Sequence, residues 1–250
     1  SSTSTASVKV PPTSTPRIAT SVLCTGMRVR AFLFDFDGLI LDTELAARAG
    51  WERLYREHGH ELPADLWATL VGTTHAPWDP MTHLEELVGE PLERDALNER
   101  RYAHEIALIE AEELRPGIAE YLAAARRHRL KRAIVSSSTR RWVEMHLERL
   151  EEATGWDAIC TADRDPDRAK PAPTLYLEAL EQLGVRADEA VAFEDSPNGV
   201  LAAKAAGVFC VAIPNEVTRE LGLEEAGADL VLDSLADLPP EALFARLAKE

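Results

Sequence analysis

The sequence predicts an α/β protein: a doubly wound parallel sheet with a helical domain inserted after its first strand. Two observations predict it. From Val29 onward, short β-branched or apolar runs alternate with longer segments at helical period, the rhythm of a parallel sheet covered by helices on both faces. Between Glu44 and Leu114 the rhythm stops, and stretches at helical period follow one another with no convincing strand. A simple crossover needs only about a dozen residues, so this segment reads as a domain of its own.

Residues 1–26 are nearly half Ser and Thr, hold three prolines and show no apolar period. Such a composition cannot offset its ordering entropy by burial, and it reads as a disordered N-terminal extension. Lys9 and Arg17 with no acid resemble an organellar transit peptide; the non-folding extension of a cytoplasmic protein is preferred, with organellar targeting as the alternative. The sheet domain then comes in two pieces, 27–42 and 116–250, around a helical domain at 43–115. Leu41–Thr43 and Arg115–Gly117 are its two hinges, the second carrying a Pro-Gly breaker. The expected strands are Ala31–Phe36, Arg132–Val135, Ala158–Thr161, Ala190–Phe193, Val208–Ile213 and a short Asp229–Leu232. The expected helices between them are Ile118–Arg127, Arg141–Leu150, Thr174–Leu183 and Pro197–Ala206, the second with Val143, Leu147 and Leu150 at i, i+4, i+7.

A chain of 250 residues, 46% hydrophobic, is long enough to bury a sizeable core. Its net charge of −16 argues against nucleic acid, whose binding draws on Lys and Arg neutralising phosphates. No apolar run approaches the roughly 20 residues that span a bilayer, so no membrane partner is expected. Cys24, Cys160 and Cys210 are odd in number and lack metal-site spacing, so they read as isolated thiols, the last two as small buried hydrophobes near strand ends. The sequence leaves the oligomeric state open.

In an open parallel sheet, ligands bind beyond the carboxyl ends of the strands. Four polar groups fall there. Asp35 and Asp37 leave the first strand as a carboxylate pair, and Gly38 permits a bend that aims both at one centre; the alternative is an Asx-type turn. Ser136-Ser137-Ser138-Thr139 follows the second strand and suits an anion cradle, or merely the cap of the next helix. Lys170, ahead of a proline-started helix, could place a point charge on a phosphate; as a lysine it could equally face solvent. Glu194-Asp195 leaves the fourth strand as a second carboxylate pair, suited with Asp35 and Asp37 to the oxygen ligation of Mg²⁺. Four such groups in this order point to a phosphoryl-transfer centre.

The stretches FDFDGLILDTE, IVSSST, KPAP and FEDSPNGVLAAKAAG resemble the four motifs of the haloacid dehalogenase-like superfamily, over about Met27 to Ile213. The closest likeness is to its helical-cap subgroup, which includes β-phosphoglucomutase and sugar-phosphate and nucleotide phosphatases. The resemblance implies a Rossmannoid core with an α-helical cap and Mg²⁺ as cofactor. It implies Asp35 as the nucleophile that becomes an aspartyl phosphate, and Asp37 as general acid/base whose backbone carbonyl also ligates the metal. Ser136 and the Ser137 N–H match the phosphate cradle, Lys170 the neutralising lysine, and Asp195 with Glu194 the metal ligands. Gly38 and Thr43 fall among the phosphate- and substrate-binding positions. The second aspartate disfavours dehalogenation, because halide leaves without a proton.

The implied activity is hydrolysis of a small phosphorylated metabolite such as a sugar phosphate. A phosphosugar mutase is the runner-up, and a non-catalytic binding protein on the same fold the alternative of another class. The mutase is disfavoured because His75 stands where its phosphate-gripping arginine would fall. His75, Trp78, Trp51 and Arg48 are the candidates for substrate recognition. Two departures from the family pattern are Ala169 in place of a glycine and Thr174 in place of an aspartate that opens the next helix, where Thr can still cap.

Overall fold

A computed structural model describes residues 27–68, 70, 78–152 and 154–249. The N-terminal extension and His75 lie outside the described residues. Six parallel strands form one sheet in the order β3-β2-β1-β4-β5-β6. They are β1 (Ala31–Phe34), β2 (Lys131–Ser136), β3 (Ala158–Thr161), β4 (Ala190–Glu194), β5 (Phe209–Ala212) and β6 (Leu230–Val231). The order reverses between β1 and β4, the switch point where open α/β sheets bind ligands.

Both sheet faces are buried, which is why the central strands read as unbroken apolar runs. Ala31, Leu33, Ala133 and Val135 turn to one core, and Phe32, Phe34, Ile134 and Phe193 to the other. The second core is aromatic: Phe34 stacks on Phe193 at 4.9 Å between ring centres, and Tyr121 meets Phe193 edge-on at 5.1 Å. Each fully buried side chain of this size contributes about 1.5–3 kcal/mol relative to exposure. Cys160 and Cys210 are buried free thiols, as expected. Burial pushes the Cys160 thiol up to about 12.

Between β1 and β2 lie α1 (Thr43–Glu57), α2 (Ala64–Ala68), α3 (Pro80–Val88) and α4 (Arg94–Ile109), the helical cap. Its small core of Leu54, Tyr55, Met81, Leu84 and Leu97 is separate from those of the sheet. α5 (Ile118–His128) leads into β2, and α6 (Arg140–Arg149), α7 (Thr174–Leu183) and α8 (Pro197–Ala205) follow β2, β3 and β4. Side-chain caps start several of these helices: Asp79 accepts from Thr82 N at 3.0 Å, Thr139 from Trp142 N at 3.3 Å and Ser196 from Gly199 N at 3.2 Å. Among the described residues no helix is long and apolar enough to cross a membrane.

Besides one-residue shifts at the ends of several elements, the structure departs from the sequence reading in three places. β1 stops at Phe34 rather than Phe36, because the Phe36 carbonyl accepts from Ile40 N at 2.9 Å in a turn instead of joining the ladder. A helix unforeseen in the sequence, α9 (Pro240–Leu247), buries Leu243 and Leu247 against the aromatic core. Thr174 does not cap α7; it is the first helical residue, preceded by Pro173, which has no side-chain hydrogen bond to offer.

Candidate active site

The turn after β1 builds the centre of the site. Asp35 N–H donates to Phe193 O at 3.0 Å, extending the pairing with β4 by one residue, and the chain then folds back through Gly38 N–H to Leu41 O at 2.8 Å. Gly38 has φ +78°, and a Cβ there would lie 2.1 Å from Asp195 Oδ2, so the turn and the close approach both require glycine.

Asp35, Lys170, Glu194 and Asp195 come together beneath this turn, all buried. Lys170 Nζ donates to Asp35 Oδ1 and, at 2.6 Å, to Glu194 Oε1, which also accepts from the Tyr176 hydroxyl. Asn215 Nδ2 donates to Asp195 Oδ2 at 2.8 Å. Burial holds the Asp35 carboxyl well above the ordinary carboxylate range; Lys170 opposes that shift, and Glu194 and Asp37 add to it. Asp195 is raised first by burial and then by the Asp35 and Glu194 charges. Burial works against the Lys170 charge, but the two carboxylates outweigh it and push its pKa up.

One oxygen each from Asp35, Glu194 and Asp195 fall within 4.8 Å of one another. Three buried carboxylates facing one ammonium leave negative charge uncompensated, and Glu194 Oε2 has no hydrogen-bond partner. An all-oxygen set of this charge fits a hard divalent cation such as Mg²⁺. The Asp37 carboxylate is not in this cluster. It faces the other side of the site and accepts from Thr43, Ser136, Ser138 and the Trp142 indole.

These groups open on a cavity of about 380 Å³. Its core side is Asp35, Asp37, Ser136, Ser137, Ser138, Lys170 and Asp195, so the polar residues singled out in the sequence meet there except Glu194, which is fully buried and does not line it. The Ser137 hydroxyl accepts from Lys170 N at 3.1 Å, tying the second and third motifs together. Gly38 contributes by admitting Asp195, and Thr43 lines the cavity at the first turn of α1.

The recognition candidates from the sequence fare differently. Trp51, Trp78 and Arg48 do not line this cavity: Arg48 pairs with Glu52 at 2.7 Å, Arg101 lies over the Trp51 ring, and Trp78 packs edge-on against His83. The cap wall is formed instead by Glu44, Ala47, Leu70, Tyr102 and Glu105. Burial pushes Glu44 up to about 7, helped by Asp37, Asp42 and Glu105. Burial also raises Glu105, against the pull of Arg101 at 2.5 Å. Sequence reasoning missed these residues and two more, Trp142 and Asn215. Asn215 had a readable signal, since it follows β5 as a fifth polar group beyond a strand end.

A family model described as haloacid dehalogenase-like hydrolase matches residues 29–207. The chain is 41% identical over 210 residues to YhcW of Bacillus subtilis, named as a candidate phosphatase, covering 84% of this chain and 94% of the relative. It is 31% identical over 206 residues to the validoxylamine A 7'-phosphate phosphatase of Streptomyces hygroscopicus subsp. limoneus, covering 82% and 94%. Among solved structures it resembles CbbY from Rhodobacter sphaeroides in complex with xylulose-(1,5)bisphosphate. There the TM-score is 0.62 at 30% identity, over 84% of this chain and 96% of the other.

Proposed function

We propose that this chain, which belongs to the haloacid dehalogenase-like hydrolases and is a phosphoric monoester hydrolase among them, uses Mg²⁺ and an aspartyl phosphate on Asp35 to hydrolyse a small phosphorylated metabolite such as a sugar phosphate. One observation carries the reading: a buried Asp35–Lys170 pair beside Asp195, with a second aspartate, Asp37, on the opposite side of the same cavity.

Lys170 ties one oxygen of Asp35 and leaves the other for attack on phosphorus. As the Asp35 O–P bond forms, the ester P–O bond breaks and Asp37 gives its proton to the departing alkoxide oxygen. Asp37 then takes a proton from a water that attacks the phosphorus, the Asp35 O–P bond breaks, and inorganic phosphate leaves. Ser136 and Ser137, at the end of β2, hold the phosphoryl oxygens. Bound by Asp35, Asp195, Glu194 and the Asp37 carbonyl, Mg²⁺ would offset the repulsion between carboxylate and phosphate. Hydrolysis is favoured over mutase chemistry by the cap wall. Among the described residues it presents no Lys or Arg that could grip a second phosphate.

The test is release of inorganic phosphate from a panel of phosphorylated metabolites, with Mg²⁺ and with EDTA. Asp35→Asn is expected to lower kcat/KM at least about 10³-fold while binding persists. Full activity in that variant would overturn the reading, and isomerised sugar phosphate in place of free phosphate would redirect it to a mutase.

A further inference from the structure

Both oxygens of Asp37 are engaged, each by two donors. Oδ1 accepts from Thr43 Oγ1 at 3.0 Å and from Trp142 Nε1 at 2.8 Å. Oδ2 accepts from Ser138 Oγ at 2.6 Å and from Ser136 Oγ at 3.3 Å. The donors on the two oxygens differ in kind. Serine hydroxyls rotate, and these two line the cavity at the end of β2, where an incoming phosphoryl group can claim their protons. An indole N–H has one direction and no acceptor capacity. Its ring is also fixed, meeting His146 edge-on at 4.4 Å on its own helix and Tyr102 of the cap at 6.3 Å.

We infer that Trp142 is a positioning residue: its indole clamps Oδ1 of Asp37 so that Oδ2, once the serine hydroxyls turn to the phosphoryl group, is the oxygen that carries the proton. The inference rests on the phosphatase reading and deepens it. The proton on Oδ2 passes to the leaving alkoxide as the ester P–O bond breaks, and Oδ2 later accepts the proton of the attacking water. Loss of the clamp lets the carboxyl rotate, and general-acid catalysis suffers wherever the leaving group needs a proton.

The test compares Trp142→Phe, which keeps the ring but removes the N–H, with the wild-type protein on glucose 6-phosphate and on p-nitrophenyl phosphate. The value of kcat/KM reports the first transfer, in which an alkoxide needs a proton and a nitrophenolate does not. It is expected to fall about 10- to 100-fold for glucose 6-phosphate, part of the 10²–10⁴ that a positioned acid supplies, and by less than about threefold for the aryl ester. A second measurement is independent of turnover. In a ¹H–¹⁵N spectrum the indole signal missing from Trp142→Phe should move upfield in Asp37→Ala, because its acceptor is gone. An unmoved indole signal, or equal loss on the two esters, would overturn the assignment. Failure of the phosphatase reading looks different: the wild-type protein then releases phosphate neither from these two esters nor from any member of the metabolite panel, and the proton-carrying role falls with it even if the signal moves.

Discussion

Glu44 stands in the first turn of α1, on the cap side of the cavity, with its carboxyl pushed up to about 7 by burial and by Asp37, Asp42 and Glu105. A raised carboxyl favours the fold in its neutral form. Between about pH 4.5, its ordinary value, and about pH 7 the folded protein therefore holds more proton on Glu44 than the unfolded chain does, and stability falls as pH rises through that window. Glu44→Gln is expected to remove this loss, so the variant melts higher than wild type at pH 8 and level with it at pH 4; melting curves at both pH values check it. The opposite order at pH 8 would mean that Glu44 gains more from a cation than burial takes away. At this scale the sequence was readable where a polar group ends an apolar strand, because backbone direction alone aims Asp35, Glu194 and Asp195 at the switch point, whereas Lys170 reaches it from the loop between β3 and α7. Glu44, Tyr102, Glu105 and Trp142 sit on helices, where the facing side depends on how the helix is rotated against its neighbours. Periodicity gave no reason to prefer them over Trp51 or Arg48.

The elements are held to one another at two places that substitution can probe. α8 begins directly beneath β4, and a Cβ on Gly199 would fall 1.7 Å from Glu194 Oε2. Gly199→Ala must displace either the helix or the carboxylate, at about 1–3 kcal/mol for an overpacked site. Because Glu194 holds Lys170, activity should fall further than stability, which paired denaturant and turnover measurements would show; a neutral variant would mean that α8 shifts freely. The second place is the connection between α4 and α5. Arg115 N–H donates to Ile40 O at 3.0 Å, and its guanidinium donates to Gly38 O and, at 3.1 Å, to Pro214 O, joining the loop that leaves α4 to the turn after β1 and the loop after β5. Removing a charged donor from buried carbonyls costs about 2–3 kcal/mol, so Arg115→Met is expected to lose that much in urea unfolding. The Pro-Gly breaker made the end of the helical segment visible in the sequence, whereas the side-chain partners of Arg115 lie some 77 and 99 positions away and leave no local trace. α9 was missed although Pro240 starts it and Leu243 and Leu247 repeat at i, i+4, because two apolar residues in a short terminal segment do not separate a helix from a loop.

For the molecule as a whole, the fold was legible because alternating strand and helix patterns allow few parallel topologies. The electrostatics were legible only in sum. The net charge of −16 sums over the whole chain, but three of the acids lie in one buried cluster with Lys170 as their ammonium partner, and the surplus there acts against the fold. A divalent cation held by that cluster should therefore stabilise the whole domain, not only complete its chemistry. At a Mg²⁺ concentration about 100 times its dissociation constant the gain is about 2.7 kcal/mol. For a protein of this size that raises the melting temperature by roughly 5–10 °C, and EDTA should reverse it. The shift should grow with pH, because burial raises the Asp35 and Asp195 carboxyls and a proton competes with the metal until it is titrated away. A surface of this charge is also stabilised by any salt, so the control is KCl at equal ionic strength, which screens without filling the cluster. Asp195→Asn separates the two effects: the response to KCl should survive and the additional response to Mg²⁺ should vanish. An equal shift with both salts in the wild-type protein would place the cation on the surface and leave the buried carboxylates to be neutralised by protons alone.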